Sequence, residues 1–313
     1  MEINSKAVAL LRCEHYASNE LVDVVDRLCS ALHIKITAGE RVLLKPNLLT
    51  GRSKDHLACT HPEFVAAVAK WFVERGAAVV IGDSPAFGTA KGVMRTIGIE
   101  KALAGLPVTC INFDQSVPVT LAGGLRVAMA KAALECDLLV NLPRVKAHSQ
   151  LNITLAVKNF FGTVVGFQKP MWHLRFGDQE HQFTSHLVDL LAVLPQSMTL
   201  IDGIIAMHGT GPVSGQPYPL GLVGCSLNPV AIDTAILQVV GLEPGKSPIW
   251  KECYRRKLDG SLSDTLEYPL SKPSEFNADG FRVPLMLKPV SFNPLRMLVS
   301  GCRRLAARLK EST

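Results

Sequence analysis

Short apolar segments alternate along the chain with segments in which apolar residues recur three and four positions apart. Runs rich in Val, Ile and Leu, each long enough for one strand, occupy residues 6–12, 41–45, 77–82, 138–141 and 199–201. Residues 19–33 carry apolar side chains on one helical face, which predicts an amphipathic helix. Strands that alternate with helices indicate βαβ units. The pattern therefore predicts an α/β fold, with a mostly parallel open sheet and flanking helices.

Single residues mark the beginning and the end of a second helix. Thr60 and Glu63 have the spacing of a capping box, Pro62 suits the first turn, and Gly76 is a typical helix-ending residue. The sequence thus predicts a helix capped by Thr60 that stops before Gly76.

Two other short patterns predict local structure. Asn228 followed by Pro229 predicts a helix that begins there and ends near Gly241. Apolar segments on either side of Gly123–Gly124, within residues 120–129, predict a small inserted β-hairpin.

The apolar pattern weakens from Glu243 onward, where proline and polar residues increase. We therefore predict an α/β core over residues 1–242, which carries the site, and a C-terminal extension over 243–313. Apolar residues between 295 and 310 have a helical spacing, so the extension should end in a basic amphipathic helix. Docking of this helix on the protein body is the ordinary outcome, and contact of residues 295–313 with a membrane surface or a partner is the alternative.

Composition limits the class of protein. Hydrophobic residues make up 48% and charged residues 19% of the 313 residues, which is ordinary for a globular protein. No run approaches the ~18 consecutive apolar residues that a membrane span needs. The first residues lack the charged-then-apolar order of a secretory signal. We therefore expect a cytoplasmic protein without a transmembrane segment.

The net charge of +6 is concentrated near the C-terminus. From residue 296 onward, five basic residues and one acidic residue give +4, which leaves +2 for the rest of the chain. A nucleic-acid-binding protein needs a broad basic face, so we expect no nucleic acid among the partners.

The cysteines are scattered. There are eight of them, and no two are spaced as in C-x-x-C. We therefore expect neither a disulfide framework nor a cysteine-ligated iron–sulfur cluster in this chain.

Four of the predicted strands end in polar motifs. In an open parallel sheet, ligands bind in the crevice outside the carboxyl ends of the strands. One polar strand end would be unremarkable, but four of the same kind favour a site over coincidence. The candidate side chains after these strands are Lys45, Asn47, Asp83, Ser84, Asn141, Lys146, His148 and Asp202.

Two further segments are expected to reach the same crevice. Residues 154–162 place a lysine and an amide beside two aromatic residues. Residues 207–215 are rich in glycine, and their backbone amides could approach an anion. An ordinary structural loop explains that glycine-rich segment equally well, and it lacks the lysine of a P-loop. The candidate residues in and after these segments are Lys158, Asn159, Lys169, His173, Gly209 and Gly211.

Basic groups near the predicted crevice outnumber acidic ones. Such a pocket suits a carboxylate or phosphate on a small substrate. A lysine crowded by like charges would have a lowered pKa and could act as a base or a Schiff-base nucleophile. The alternative for each single lysine is a position on a solvated loop. The basic groups are Lys45, Lys146, Lys158, Lys169, His61 and His148.

Three histidines, His148, His173 and His208, are expected on loops near the crevice. With Asp83 or Asp202 they could hold a metal ion or form an acid–base set. Their spacing matches no metal-binding motif such as H-E-x-x-H. A bound metal is therefore one alternative, and the sequence identifies no cofactor.

The ordered set of motifs resembles an uncharacterised family, catalogued as domain of unknown function 362. Each motif is short, but the set runs in the family's order from about residue 40 to residue 240. The matching segments are Leu44-Lys45-Pro46-Asn47, Thr60-His61-Pro62-Glu63, Gly82-Asp83-Ser84-Pro85, Asn141-Leu142-Pro143 with Lys146 and His148, Val157-Lys158-Asn159 with Gly162, Gly166, Lys169 and His173, Ile201-Asp202-Gly203 with Gly209, Gly211 and Pro212, and Asn228-Pro229-Val230-Ala231 with Asp233.

The resemblance implies redox chemistry. Members of that family often carry a ferredoxin-like module with two four-cysteine motifs. This chain departs from that pattern, because it has no cysteine cluster. Any electrons would have to come from a separate ferredoxin-type protein.

Three functions stay open from the sequence. The first is an enzyme that acts on a small anionic substrate, with a redox link to a ferredoxin-type partner. The second is a non-catalytic binding protein for an anionic metabolite or a metallocofactor, and the third is a scaffold that uses the basic C-terminal helix. The enzyme hypothesis places Lys146 or His148 as base and Lys45 or Lys158 on the anion, and its catalytic candidates are Lys146, His148, Asp202 and His173.

Overall fold

A computed structural model describes residues 4–51, 56–166, 168–177, 181–284 and 286–288. Within them the chain forms a nine-stranded sheet and a separate two-stranded sheet. The strands are β1 (Ala9–Arg12), β2 (Arg41–Pro46), β3 (Ala78–Asp83), β4 (Thr109–Asn112), β5 (Ser116–Thr120), β6 (Arg126–Ala130), β7 (Leu138–Leu142), β8 (Arg144–His148), β9 (Asn152–Thr154), β10 (Ser197–His208) and β11 (Gln216–Ser226).

Helices connect these strands. They are α1 (Ser18–Ala31), α2 (Pro62–Val73), α3 (Ala90–Ile97), α4 (Ile99–Ala102), α5 (Lys131–Glu135), α6 (Ala156–Asn159), α7 (Gln168–Phe176), α8 (Gln182–Asp189), α9 (Pro229–Val239) and α10 (Pro248–Arg255). None of the helices in the described part of the chain has the length and apolarity to cross a bilayer.

The large sheet has the order β1-β11-β10-β7-β2-β3-β4, and β8 and β9 lie beside β10. Neighbouring strands from β10 to β4 are parallel, whereas β1, β11 and β9 run antiparallel to their partners. The α/β fold with a mostly parallel sheet is therefore confirmed. The parallel strands β7, β2 and β3 form the centre of the sheet. Strands buried on both faces have continuous apolar sequences, which explains the apolar runs predicted here.

The central strands alternate between two packed faces. Val42 and Leu44 of β2 belong to the core formed with α1 and α2, whereas Leu43 packs with Phe160 on the other face. Because side chains alternate along a strand, Lys45 points to the same face as Leu43. Pro46 of β2 pairs with Leu142 of β7, so the carboxyl ends of these strands lie together.

Strand β10 is longer than the predicted strand over 199–201. It runs from Ser197 to His208, with a register shift between Gly203 and Ile205, and pairs first with β7 and then with β8. Asp202 consequently lies within a strand, so the prediction that it follows a strand end was wrong. The backbone continues past Asp202 because β8 and β11 supply hydrogen-bonding partners that no local pattern reveals.

The segment after β7 also differs from the prediction. Residues 144–148 form strand β8, with every residue buried, whereas the sequence analysis left Lys146 and His148 in a loop. Polar and apolar residues alternate in Arg144–His148, which is a strand pattern. Its polar side chains face a buried site. The sequence predicts solvent-exposed polar residues here, so the strand is not predicted.

The capping prediction at Thr60 was wrong by one residue. His61 caps α2, since its Nδ1 accepts a hydrogen bond from the Glu63 amide at 3.3 Å. The Thr60 hydroxyl instead donates to the Leu142 carbonyl at 2.6 Å and accepts from the Asn47 amide at 2.8 Å. Thr60 thereby joins the segment after β2 to the end of β7.

The two other local predictions are confirmed. Strands β5 and β6 form an antiparallel hairpin around Gly123–Gly124. Asn228 caps α9, and its Oδ1 accepts hydrogen bonds from the amides of Val230 and Ala231. Helix α10 packs against α8 and α9 beyond Glu243, where a boundary is predicted. The predicted amphipathic helix between 295 and 310 lies outside the described residues.

Asp233 of α9 fixes the position of α6. Its two carboxyl oxygens accept hydrogen bonds from the amides of Ala156 and Val157, at 2.7 and 3.1 Å. Burial raises the pKa of Asp233 to about 7 despite these bonds. Helix α6 carries Lys158 and Asn159, so this carboxyl group positions two candidate site residues.

Replacing Asp233 by alanine should leave two buried amides without an acceptor. We expect the free energy of unfolding of Asp233→Ala, measured in urea, to fall by about 2–4 kcal/mol. The folded pKa of about 7 lies above 3.8, the ordinary pKa of an aspartic acid side chain. The stabilisation is therefore complete below about pH 4 and is lost as the pH rises through 7, so the deficit should be larger at pH 5 than at pH 8.5. Asp264→Ala, at an exposed position, is the control and should change little; a deficit that grows with pH would contradict the assignment.

Candidate functional site

A buried ion pair lies at the carboxyl ends of β2 and β3. Lys45 Nζ is 2.9 Å from Asp83 Oδ1, and the two side chains are 0% and 2% exposed. Asp83 Oδ2 also accepts a hydrogen bond from the Leu48 amide at 3.0 Å, and Lys45 donates to the Pro46 carbonyl at 3.3 Å. Because an isolated buried charge is very costly, each member of this pair requires the other.

Lys146 of β8 approaches the pair from a neighbouring strand. Its ammonium donates to Asn47 Oδ1 at 2.8 Å and to the Ala58 carbonyl at 3.0 Å. Burial is the main cause that lowers the pKa of Lys146 to about 8, and the positive charges of Arg144 and Lys45 lower it further. Asn47 thus holds the Lys146 ammonium in position.

Two more lysines come from the helices after β9. Lys169 of α7 donates to the Ser84 carbonyl. Nζ of Lys158 lies 4.2 Å from the ring centroid of Phe161 and 5.6 Å from that of Phe183. Burial and the charges of the neighbouring lysines hold the pKa of Lys158 well below its usual range. We refer to Lys45, Lys146, Lys158 and Lys169 as the lysine cluster.

Two histidines border the lysine cluster. His148 is buried at the end of β8, and its Nδ1 accepts a hydrogen bond from the Gln150 amide at 3.2 Å. His173 of α7 packs 4.6 Å from Phe183, measured between ring centroids. Burial, with the charge of Lys158, lowers the pKa of His173 to about 3 and that of His148 well below 6.5. Both imidazoles are therefore neutral at neutral pH, and burial together with the nearby lysines disfavours their protonation.

The charge balance of this region is strongly positive. The side chains that influence Lys158 electrostatically are Lys169, Lys146, Lys45 and a single acid, Asp83. An anion placed among them would neutralise charge that the protein leaves uncompensated, and lysine ammonium groups bind carboxylates and phosphates. The region therefore combines an excess of positive charge with two neutral imidazoles.

Gly162 lies directly against the ion pair. A methyl group at this position would overlap both Oδ1 of Asp83 and Nζ of Lys45. The 3-10 turn Phe160–Thr163 can approach the pair only because residue 162 has no side chain.

Asn141 and Asn159 connect the helix that carries Lys158 to strand β7. Asn159 Nδ2 donates to Asn141 Oδ1 at 2.8 Å, and Asn141 Nδ2 donates to the Ala156 carbonyl at 3.1 Å. Both side chains are buried. These bonds fasten α6 to β7, so in this structure the two amides orient the site instead of facing a ligand.

Asp202 and His61 belong to a second network. Asp202 accepts hydrogen bonds from the Tyr16 hydroxyl at 2.7 Å and from the His61 amide at 3.0 Å, and lies 3.9 Å from Arg144 Nε. The His61 ring stacks on Tyr16 at 3.5 Å, and burial lowers its pKa to about 4. Sequence reasoning missed Arg144 and Tyr16. The strand alternation of Arg144 with Lys146 and His148 could have found the first, but no local signal marks Tyr16.

His208 and the glycine-rich segment lie at the turn between β10 and β11. His208 packs 5.3 Å from Tyr218 and 6.0 Å from Phe281, between ring centroids. The Gly209 amide donates to the Arg282 carbonyl, and the Gly211 carbonyl accepts from the Ser149 amide. Both glycines therefore make structural contacts, and Gly211 fits tightly against the end of β8.

None of the three metal-ligand candidates lies on a loop as predicted. His148 ends β8, His173 lies within α7 and His208 ends β10. Of these three, only His148 and His173 influence each other electrostatically: a charge on His173 lowers the pKa of His148. In the described part of the chain, no group of three or more His, Cys, Asp or Glu side chains is placed to hold a metal ion.

Comparisons with known proteins extend over most of the chain. The family model for the domain of unknown function DUF362 matches residues 42–238. The chain is 35% identical over 299 residues to a thylakoid-associated protein of Synechocystis sp., with 94% of this chain and 93% of that protein covered.

Two solved structures share part of the fold. The lactate racemase apoprotein of Thermoanaerobacterium thermosaccharolyticum superposes with a TM-score of 0.41 and 13% identity over 62% of this chain, and a protein of Thermotoga maritima with a TM-score of 0.45 and 13% identity over 66%. The chain spans about half the length of each, 50% and 55% respectively.

Gly162→Ala should disrupt the ion pair. We expect a loss of stability of about 1–3 kcal/mol, as for other overpacked cores, together with at least about tenfold weaker sulfate binding by calorimetry. Gly245→Ala is the matched control, because nothing lies within 4 Å of a methyl group added there. Unchanged sulfate affinity in Gly162→Ala would contradict the placement of the anion site beside Lys45.

Proposed function

The chain belongs to the family of the domain of unknown function DUF362, and from this premise we propose that it is an enzyme that binds a small anionic substrate at the lysine cluster. The observation that carries the proposal is a group of four lysines from β2, β8, α6 and α7 in which Lys158 is influenced electrostatically by the other three and by one buried carboxylate, which pairs with Lys45. Buried positive charge without a partner is costly, so a bound anion would stabilise this group. Perturbed groups of this kind cluster at functional sites.

The proposed roles follow from the charge states. The lysines hold the anion, and its charge offsets the positive charge that disfavours protonation of His148 and His173, so these two imidazoles are assigned to accept and return a proton when the anion is bound. Lys146 is the second base candidate, because a pKa of about 8 leaves part of its population uncharged near neutral pH. Asp202, a catalytic candidate from the sequence, would act through the Tyr16–His61–Arg144 network and so is proposed as a positioning residue.

The finer predictions of partner and location rest on the sequence. A redox link through a separate ferredoxin-type protein rests on the family resemblance, and the free cysteines in the described residues are scattered over the fold. The name of the Synechocystis relative describes that protein as thylakoid-associated. For this chain the cytoplasmic location stays a prediction, as does membrane-surface contact through residues 295–313.

Anion binding should take up protons. An anion held by Lys146 and Lys169 raises the pKa of Lys146 towards the usual value of about 10.5, so the part of the Lys146 population that is neutral without the anion gains a proton when the anion binds. Lys146 alone, with a pKa of about 8 in the empty site, predicts that sulfate affinity falls between pH 8 and pH 10, by up to about tenfold per pH unit. Calorimetry in buffers of different ionisation enthalpy measures the proton uptake directly.

Two variants test the source of this pH dependence. Lys146→Met should weaken sulfate binding and flatten its dependence on pH, whereas Lys251→Met, at an exposed position of α10, should behave as wild type. Sulfate binding that is independent of pH from 7 to 10 would contradict the assignment.

Turnover separates an enzyme from a binding protein. A thermal-shift screen of small carboxylates and phosphates should give ligands that stabilise the wild type but not Lys146→Met, and mass spectrometry then tests each for conversion. For a converted substrate, His148→Gln should lower kcat by about a hundredfold or more with a smaller change in KM. Stabilisation by a ligand without conversion would favour the binding-protein alternative.

A further inference from the structure

The four lysines of the cluster are not equivalent. Lys45 is paired with Asp83, Lys146 donates to Asn47 and Ala58, and Lys169 donates to Ser84. Lys158 has no hydrogen-bond acceptor or carboxylate partner among the described residues, and its amine faces the rings of Phe161 and Phe183. Three lysines thus donate to acceptors that the protein supplies, and the fourth does not.

The surroundings of Lys158 favour its neutral form. Lys45 from β2, Lys146 from β8 and Lys169 from α7 each disfavour a further positive charge, and so does burial. Asp83 from β3 and the ring face of Phe161 act in the opposite direction, but Asp83 is already paired with Lys45. His148 and His173 are the remaining titratable neighbours and are themselves uncharged. A neutral lysine amine is a nucleophile, which an ammonium is not.

Lys158 is also the least buried lysine of the cluster. Lys158 and His173 are half-buried, whereas Lys45, Lys146 and Lys169 are buried. These two residues therefore lie nearest to the solvent side of the cluster.

We propose that Lys158 forms an imine with the carbonyl carbon of a small anionic aldehyde or 2-oxo acid. This inference rests on the anion site proposed above and names its substrate class. The ammonium groups of Lys146 and Lys169 bind the carboxylate or phosphate, and the carbonyl carbon then lies at Lys158 Nζ. A compound with an anionic group and an electrophilic carbonyl can bind to Lys146 and Lys169 through the anion and react with Lys158 at the carbonyl carbon.

The step balances without an oxidant or a reductant. The Nζ lone pair attacks the carbonyl carbon, a C–N bond forms, and the carbonyl π pair moves to oxygen, which takes up a proton from water. The nitrogen loses one proton to a neutral imidazole, His148 or His173, which passes it to the hydroxyl group; the nitrogen lone pair then forms the C=N bond as the C–O bond breaks. The products are the protonated imine and one molecule of water, with a net uptake of one proton from solvent.

Reductive trapping tests the proposal on the full chain. Glyoxylate with sodium cyanoborohydride at pH 7 should leave a carboxymethyl group on Lys158 Nζ, which peptide mass spectrometry locates. An ordinary lysine is neutral in only about one molecule in a few thousand at pH 7, so Lys158 should react at least about a hundredfold faster than surface lysines. Sulfate should slow the reaction by competition, and propionaldehyde, which lacks an anionic group, should label Lys158 more slowly than glyoxylate does.

The controls separate this inference from the anion site itself. Lys158→Arg should remove the fast labelling, and Lys251→Arg should retain it; site mapping in the wild type decides the result if Lys158→Arg does not fold. Sulfate binding with glyoxylate labelling spread over surface lysines would overturn the imine but leave the anion site in place. Failure to bind sulfate together with absence of fast labelling would overturn both.

Discussion

The ion pair of Lys45 and Asp83 is the constraint on which the rest of the site depends. Both groups are withdrawn from water at the ends of adjacent parallel strands, where either charge alone would be very costly. Their burial requires a close cover, which the 3-10 turn at Gly162 provides. That turn follows α6, whose first amides are held by Asp233 from α9 and whose last residue is bonded to Asn141 of β7. Elements far apart in sequence are thus positioned around one charge pair.

Much of the fold could be predicted because its centre consists of buried parallel strands. Such strands read as continuous apolar runs, and the polar residue that follows each run lies at one edge of the sheet. Lys45 and Asp83 were placed at the site by this argument alone. The same rule fails for strand β8. Its Arg, Lys and His side chains are buried by tertiary contacts, but a polar sequence of this kind predicts an exposed loop.

The sequence does not show which hydrogen-bonding partner a polar side chain or a strand takes when several are possible. The Thr60 hydroxyl has the spacing to cap α2, but it bonds to Asn47 and Leu142, and His61 becomes the cap. The sequence predicts Asp202 at the end of a strand. In the structure β10 continues past it, because β8 and β11 pair with the following residues. The division of the four lysines into three held and one free likewise depends on carbonyl groups of Pro46, Ala58 and Ser84, which no pattern of residue types marks.

Gly162 has a consequence for how proteins of this architecture can diverge. A side chain at that position would displace the charge pair, so position 162 is closed to substitutions that would change the preference of the proposed site. The opposite wall is less restricted: α7 contributes His173 to the rim, and its Met171 and Leu174 are exposed. Selection for a different substrate would therefore act on α7 and the segment that precedes it, while the floor formed by the strand ends stays the same.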